Sequence, residues 1–464
     1  MFSPYVEAWQ LRQMLLRREL EPTEAAQFFL DRIERLNPAL GAYMTVTADR
    51  ALSDARRLAK LGPQEAAELK LFGIPYSVKD LTWTKGIRTT FGSKNFEDFV
   101  PEEDAEVAAR LARAGGILLG KTTTPEFGGR TTTEGGLCPP ARNPWKQSHS
   151  AGGSSGGAAV AVACAMGPLA HGTDGGGSVR IPAACCGVVG LKPSRARITL
   201  APVQGEGWAG LSTSGPIARS VRDAALMLDV MAGMVPGDPY AAAPPAEPFA
   251  SAAQKRPTGL RLAAIARSAL GPVDPEVARN FEAACKLFET MGHRVEPLEL
   301  DPGAELVAAV KTIVAVGVGA REVPRVELMD PIVRQMLEVG RQISAVDYVR
   351  AVNQMHNTAR RIVQALMPYD ALLTPTLTRP AVALGSLPSS PDTGLEEVSA
   401  WIAFTFPFNA TGQPAISLPN GFSAEGLPIG LQIVGRPADE ETIIALAAAF
   451  EEAKPWRDAV PPVD

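Results

Sequence analysis

Histidine is scarce in this chain. There are four in 464 residues. His293 sits at a helix-to-strand turn and His356 in a helical stretch, each without an acid and a hydroxyl nearby in sequence. His171, Asp174 and Ser178 do crowd into one segment, but histidine-based triads assemble from distant segments. Cysteine is also sparse, and its count of five is odd, which argues against a disulfide framework. Cys185 and Cys186 are adjacent and no CxxC pair occurs, so no metal site is expected. The cysteines are expected to be reduced and packed in a cytoplasmic protein's core. Long apolar runs are missing. The longest candidate, Ala158 to Ala170, is broken by Gly167-Pro168, short of the ~18–20 residues a membrane span needs. The first residues lack the basic-then-apolar pattern of a secretory leader. No basic block stands out and the net charge is −5, so nucleic acid is not an expected partner.

What is present is the composition of a folded α/β protein: 46% hydrophobic, 20% charged, with 43 glycines and 40 prolines in short punctuating pairs. Residues 1–70 read as helical. One helix is expected from a cap at Ser3-Pro4 to Arg18, and a second from Thr23, with Ala26, Phe29, Leu30, Ile33 and Leu36 on one face, ending at Asn37-Pro38. From residue 71 short apolar strands alternate with helices: a strand at 72–78, a helix at 105–114, a strand at 117–119, an alanine-rich helix opening from the loop at 150–157, and a strand near 168–172. This alternation predicts a mixed, largely parallel sheet sandwiched between helices. Residues 240–257 look like an exposed connection, 303–366 like a helical cover, and the chain ends on a helix at 440–452. No boundary splits it, so 1–464 is read as one domain, with 300–366 its variable cover segment.

The chemistry gathers in three places. Gly152-Gly153-Ser154-Ser155-Gly156-Gly157 and Gly172-Thr173-Asp174-Gly175-Gly176-Gly177-Ser178-Val179-Arg180 are glycine-rich loops holding serines. Lys79 ends the apolar run Ser77-Val78-Lys79. A serine hydroxyl is a weak nucleophile until a base takes its proton. With no histidine at hand, the candidate base is Lys79, and one serine can relay for the other. Glycines at 175, 176 and 177 let consecutive amides turn inward as a nest, which suits an oxyanion hole formed with the amide of Ser178. A second reading takes Gly152-Gly153-Ser154-Ser155-Gly156 as the G-x-S-x-G elbow with Ser154 as nucleophile. That motif needs a strand before it and a histidine after it, and Gln147-Ser148-His149-Ser150 is not a strand. Gly205 to Gly210 fits G-x-G-x-x-G, but without the flanking strand and helix of a dinucleotide site it reads as a loop.

These residues closely resemble the amidase signature family. The match continues through Ile181-Pro182-Ala183 and Gly187 to Pro193, and takes in Gly73-Ile74-Pro75, Val78-Lys79-Asp80, Gly120-Lys121-Thr122, Asn409, Gly412 to Ala415 and Gly426 to Gly430. The resemblance covers nearly the whole chain and is weakest at 300–370. It implies a Ser-cisSer-Lys triad: Ser178 as nucleophile, Ser154 as bridge beside a cis peptide bond, and Lys79 as base and then acid. It further implies an acyl-enzyme, an oxyanion hole from the amides of residues 175–178, support from Asp174, Arg180 and Ser155, and no cofactor or metal.

Two departures stand out. Position 175 is glycine where the family often has Thr or Ser, and His171 stands where an apolar residue is common. Ile181 occupies the place of a glutamine usual in the glutaminase subunit of tRNA-dependent amidotransferases, and Val203 to Leu211 also differs from that subunit. The chain is therefore grouped with stand-alone amidases similar to hydrolases of lactam oligomers, aryl anilides and urethanes, expected as monomer or homodimer. The amidotransferase subunit is the alternative. Candidate substrate contacts are Gly128, Gly129, Thr131 and Trp208, with Trp401 to Phe404 as a further apolar wall.

Overall fold

The computed structural model describes residues 2–137, 139–387 and 391–463, and the side chains of 391–395 are not described. Cys138 lies outside the described residues; Cys164, Cys185 and Cys186 are buried free thiols, and Cys285 is half-buried and free. Eleven strands form one sheet: β1 (Tyr43–Val46), β2 (Pro75–Lys79), β3 (Ile117–Thr122), β4 (Leu169–Asp174), β5 (Val189–Lys192), β6 (Thr213–Ala218), β7 (Arg261–Ala264), β8 (Arg294–Pro297), β9 (Ala371–Pro375), β10 (Ala415–Phe422) and β11 (Pro428–Gly435). Their order is β1-β3-β2-β4-β6-β5-β10-β11-β9-β7-β8. The sheet is mixed, as expected. Its parallel pairings form two separate blocks, β3-β2-β4 and β9-β7-β8. The strands between them, and the β1 edge, pair antiparallel. The parallel share is thus smaller than the β-α alternation suggested, because β5 runs into β6, and β10 into β11, through loops with no crossover helix.

Helices cover both faces. On one side the helix Gly156–Ala163 is buried at every position. An all-Ala/Val helix with two leading glycines needs no polar face when it sits between sheet and cover. On the other side Val221–Met231 and Glu440–Ala453 pack on the strands through Ala225, Leu228, Ile443, Leu446 and Phe450. Burial of such side chains stabilises by about 1.5–3 kcal/mol each. No helix of the described residues is long and apolar enough to cross a membrane.

The N-terminal reading needs three corrections. The first helix runs Ala8–Leu16, capped from Glu7 rather than Ser3. Its first amides are held by the carboxylate of Asp223, at 2.7 Å from Ala8 N and 3.0 Å from Trp9 N. The second helix, Pro22–Leu40, continues through Pro38 and ends at Gly41, whose φ is 64°. Asn37 does not stop it because its side chain reaches forward to the backbone of Tyr43. That clamp starts β1, an edge strand inside the stretch expected to be wholly helical. The expected cover is present as the helices Gly303–Gly319, Pro331–Gln342 and Ala345–Leu366. Only half of 240–257 is exposed: Phe249, Ala252 and Ala253 are buried, with the amide of Phe249 anchored by Asp229.

Candidate active site

Lys79 and Asp174 end two adjacent parallel strands, β2 and β4, registered through Val78 opposite His171. Ligand sites in α/β sheets open at the carboxyl ends of such strands. Two loops follow: 150–155 before the alanine-rich helix, and 175–179 before the helix Arg180–Cys186. The first is pinned by close approach. A β-carbon on Gly153 would stand 2.6 Å from the carbonyl carbon of Thr132, and one on Gly157 would collide with the backbone of Ala42 and Thr123. The peptide bond between Gly153 and Ser154 is cis.

Lys79 is fully buried. Its Nζ donates to Ser154 Oγ at 2.7 Å, Ser155 Oγ at 2.9 Å and Thr173 Oγ1 at 2.9 Å. Burial pushes its pKa well below the ordinary lysine value, and the charge of Asp174 only partly opposes this. Lys121 and Lys192 are also buried, and desolvation lowers them to about 8 and about 7. Lys121 donates to Thr82 O and Thr89 Oγ1, and Lys192 to Pro193 O. What distinguishes Lys79 is its contact with three side-chain hydroxyls. The hydroxyl of Ser155 reaches Thr173 O at 3.2 Å, and its amide donates to Ser178 O at 3.1 Å. Thr173, which sequence reasoning missed, thus ties the lysine to the loop carrying Ser178.

Asp174 organises that loop. It accepts from the amides of Gly177 at 2.8 Å and Val179 at 3.1 Å, and from Asn409 Nδ2 at 2.8 Å. Arg180 donates to it from Nε at 3.0 Å and Nη2 at 2.9 Å. Burial pushes the Asp174 carboxyl up, but the Arg180 charge outweighs it and holds the group below its usual range. The remaining donors of Arg180 reach Thr405 O, Gln432 Oε1 and Asn409 Oδ1. The expected donor set over 175–178 is reduced. At a φ of 126° the Gly177 amide turns back onto Asp174 and is already engaged. Among the described residues the amides of Gly175, Gly176 and Ser178 meet no protein acceptor.

Ser178 lines a cavity of about 410 Å³. Gly128, Gly129, Thr131, Trp208, Gly175 and Gly176 line it too, so the four candidate substrate contacts share a cavity with Ser178. The run from Trp401 to Phe404 fares less well. Ile402 lines the cavity, but Trp401 and Phe404 are core residues, with Trp401 Nε1 bonded to Arg379 O. Phe406 takes the expected place beside Ile402. No hydrogen bond joins the hydroxyls of Ser178 and Ser154 among the described residues. His171 is buried, bonded through Nε2 to Ser214 at 3.0 Å, and lowered to about 3 by burial and by the nearby Lys79 and Lys121 charges. It contacts neither serine through a hydrogen bond, and no strand precedes Ser154, so nothing supports the elbow reading. No cluster of three or more His, Cys, Asp or Glu among the described residues could hold a metal.

The amidase family model matches residues 24–444. The chain belongs to the amidase family. An acylamidase of Rhodococcus erythropolis is 37% identical over 470 residues, spanning 98% of this chain and 97% of that one. A glutamyl-tRNA(Gln) amidotransferase subunit of Geobacter sp. (strain M21) is 33% identical, spanning 96% of this chain and 97% of that one. A solved 6-aminohexanoate cyclic dimer hydrolase complexed with substrate matches with a TM-score of 0.93 at 31% identity, covering 100% of both chains. This amidase hydrolyses amide C–N bonds.

Proposed function

We propose that this amidase works without partner subunits on small aryl and alkyl amides, through an acyl-enzyme formed on Ser178. Carbamates and activated esters are expected to enter the same route. The observation that supports this most is the buried Lys79, whose pKa burial pushes down and whose Nζ lies 2.7 Å from Ser154 Oγ. Neutral Lys79 takes a proton from Ser154 as Ser154 takes one from Ser178, whose Oγ attacks the carbonyl carbon. The resulting oxyanion meets the amides of Gly175, Gly176 and Ser178. The lysinium returns its proton through Ser154 to the leaving nitrogen, the C–N bond breaks, and water then cleaves the acyl-enzyme by the same relay.

The cavity wall supports apolar substrates. Val307, Val310, Val314, Ile332 and Met336 line it, and these offer nothing to the polar side chain of glutamine. The test is a matched nitroanilide, nitrophenyl ester and aryl carbamate panel with the purified chain, and Ser178→Ala beside it. Turnover of the anilide that vanishes in Ser178→Ala bears the reading out. Glutaminase activity that appears only with added partner subunits overturns it.

A further inference from the structure

Resting on the amidase reading above, the cavity's charge inventory narrows the substrate. Its lining holds two titratable side chains, Arg130 and Lys311, and no Asp or Glu. Arg130 is already matched, with Nη1 donating to Asp330 Oδ2 at 3.2 Å, and that carboxylate also caps the helix Pro331–Gln342. Lys311 is different. It lies mid-way along the helix Gly303–Gly319, half-buried, between the apolar wall residues Val307 and Val314 on the same face. Among the described residues it makes no hydrogen bond or ion pair. A lysine on an open surface loses little by standing alone. One whose stem lies along an apolar cavity wall holds its head at the cavity's edge, within reach of an anionic group on a bound ligand.

We propose that Lys311 selects amides whose apolar arm ends in a carboxylate. The arm lies along Val307, Val310 and Val314, the scissile carbonyl reaches Ser178, and the carboxylate meets the Lys311 ammonium at the cavity wall. With Arg130 paired to Asp330, Lys311 is the lining cation left without a carboxylate partner among the described residues. A partly solvent-reached pair of this kind is worth about two- to fivefold in selectivity and weakens with salt.

The test compares 4-nitroanilides of dicarboxylic half-acids, glutaryl to suberyl, with fatty-acyl nitroanilides of equal length. A second pair, N-hexanoyl-6-aminohexanoate against N-hexanoyl-hexylamine, puts the carboxylate on the leaving arm. The readout is the carboxylate-to-neutral ratio of kcat/KM within each protein, so a general loss from misfolding cancels. The wild-type ratio should exceed one in at least one series and fall with salt. Lys311→Gln should lower it about two- to fivefold, and Lys311→Glu further. A ratio unchanged by both substitutions, or below one in both series, overturns the proposal. If no amide turns over, the amidase reading has failed on its own account. Calorimetric titration of Ser178→Ala with the same ligands, with and without Lys311→Gln, then still decides: carboxylate-selective binding lost with Lys311 supports the site, and its absence overturns it.

Discussion

Trp208 occupies the space that a side chain at Gly175 would need. A β-carbon on Gly175 would stand 2.7 Å from Trp208 Cζ3, and one on Gly317 would stand 2.7 Å from its Nε1. The indole is thus wedged between the loop carrying Ser178 and the cover helix, and glycine at 175 is explained by its neighbour. Gly175→Ser should push the ring out or shift the amide of residue 175. Overpacking of this kind costs about 1–3 kcal/mol, and a misplaced oxyanion donor costs up to about a hundredfold or more in kcat. The expected loss in kcat/KM on a nitroanilide is tenfold or greater. Gly175→Ser combined with Trp208→Ala should recover part of it, because the clash is gone. A strictly additive double mutant would show that the two residues do not compete for this space.

Lys79→Ala removes both the base and the proton source. An anilide needs its nitrogen protonated to leave, whereas nitrophenolate leaves unaided. The variant should lose about 10²–10⁴-fold on the anilide and clearly less on the ester. Equal losses would deny Lys79 the acid role. The wild-type pH profile carries the sign. Burial depresses the lysine's pKa, so the neutral base is present above that lowered value and is lost as pH falls through it. The acid limb of kcat/KM should therefore level off well below the ~10.4 of an ordinary lysine.

Ser154 and Ser178 stood out in the sequence because glycine-rich loops advertise close backbone approach, and Lys79 only through its pairing with them; in the structure Lys79 lies against Ser154 and Ser155. Less legible were the partners that hold Arg180 in place. Thr405, Asn409 and Gln432 meet Arg180 from over 220 residues away, and no local pattern links such positions. Gln432 hides as a lone polar residue between Leu431 and Ile433 in a fully buried strand. The Gly177 amide looked free because its turn toward Asp174 is set by a single φ angle. The strand Tyr43–Val46 was masked by four helices around it, its extended state decided by the Asn37 clamp and by pairing with β3.

Arg180 and Asp174 form a fully buried ion pair whose side chains expose 0%. Removing one partner of such a pair strands the other charge and costs about 3–5 kcal/mol. Arg180→Leu should lower the urea midpoint sharply, and Asp174→Asn on that background should restore part of it. A single variant as stable as wild type would mean that the pair contributes nothing to the fold.

The final prediction concerns pH and the N-terminal anchor. Asp223 caps the first helix and Glu451 accepts from the amide of Val221 at 3.0 Å. Burial, with Glu7 close by, pushes Asp223 up to about 7. Burial, with Glu7 and Asp223 adding their charges, pushes Glu451 up to about 8. In the unfolded chain these carboxyls titrate near ~4. Between those limits the folded state holds protons that the unfolded state has released, so stability falls as pH rises through the window and is level below and above it. Glu451→Gln keeps an oxygen for Val221 and removes one titration. Its stability relative to wild type should climb by several kcal/mol, at ~1.4 kcal/mol per pH unit, from about pH 4 to about pH 8 and then hold. Thermal unfolding of both proteins across that range measures the difference directly. A flat difference would place the Glu451 carboxyl in water in the folded state, and a difference that falls with pH would reverse the sign of its coupling to the fold.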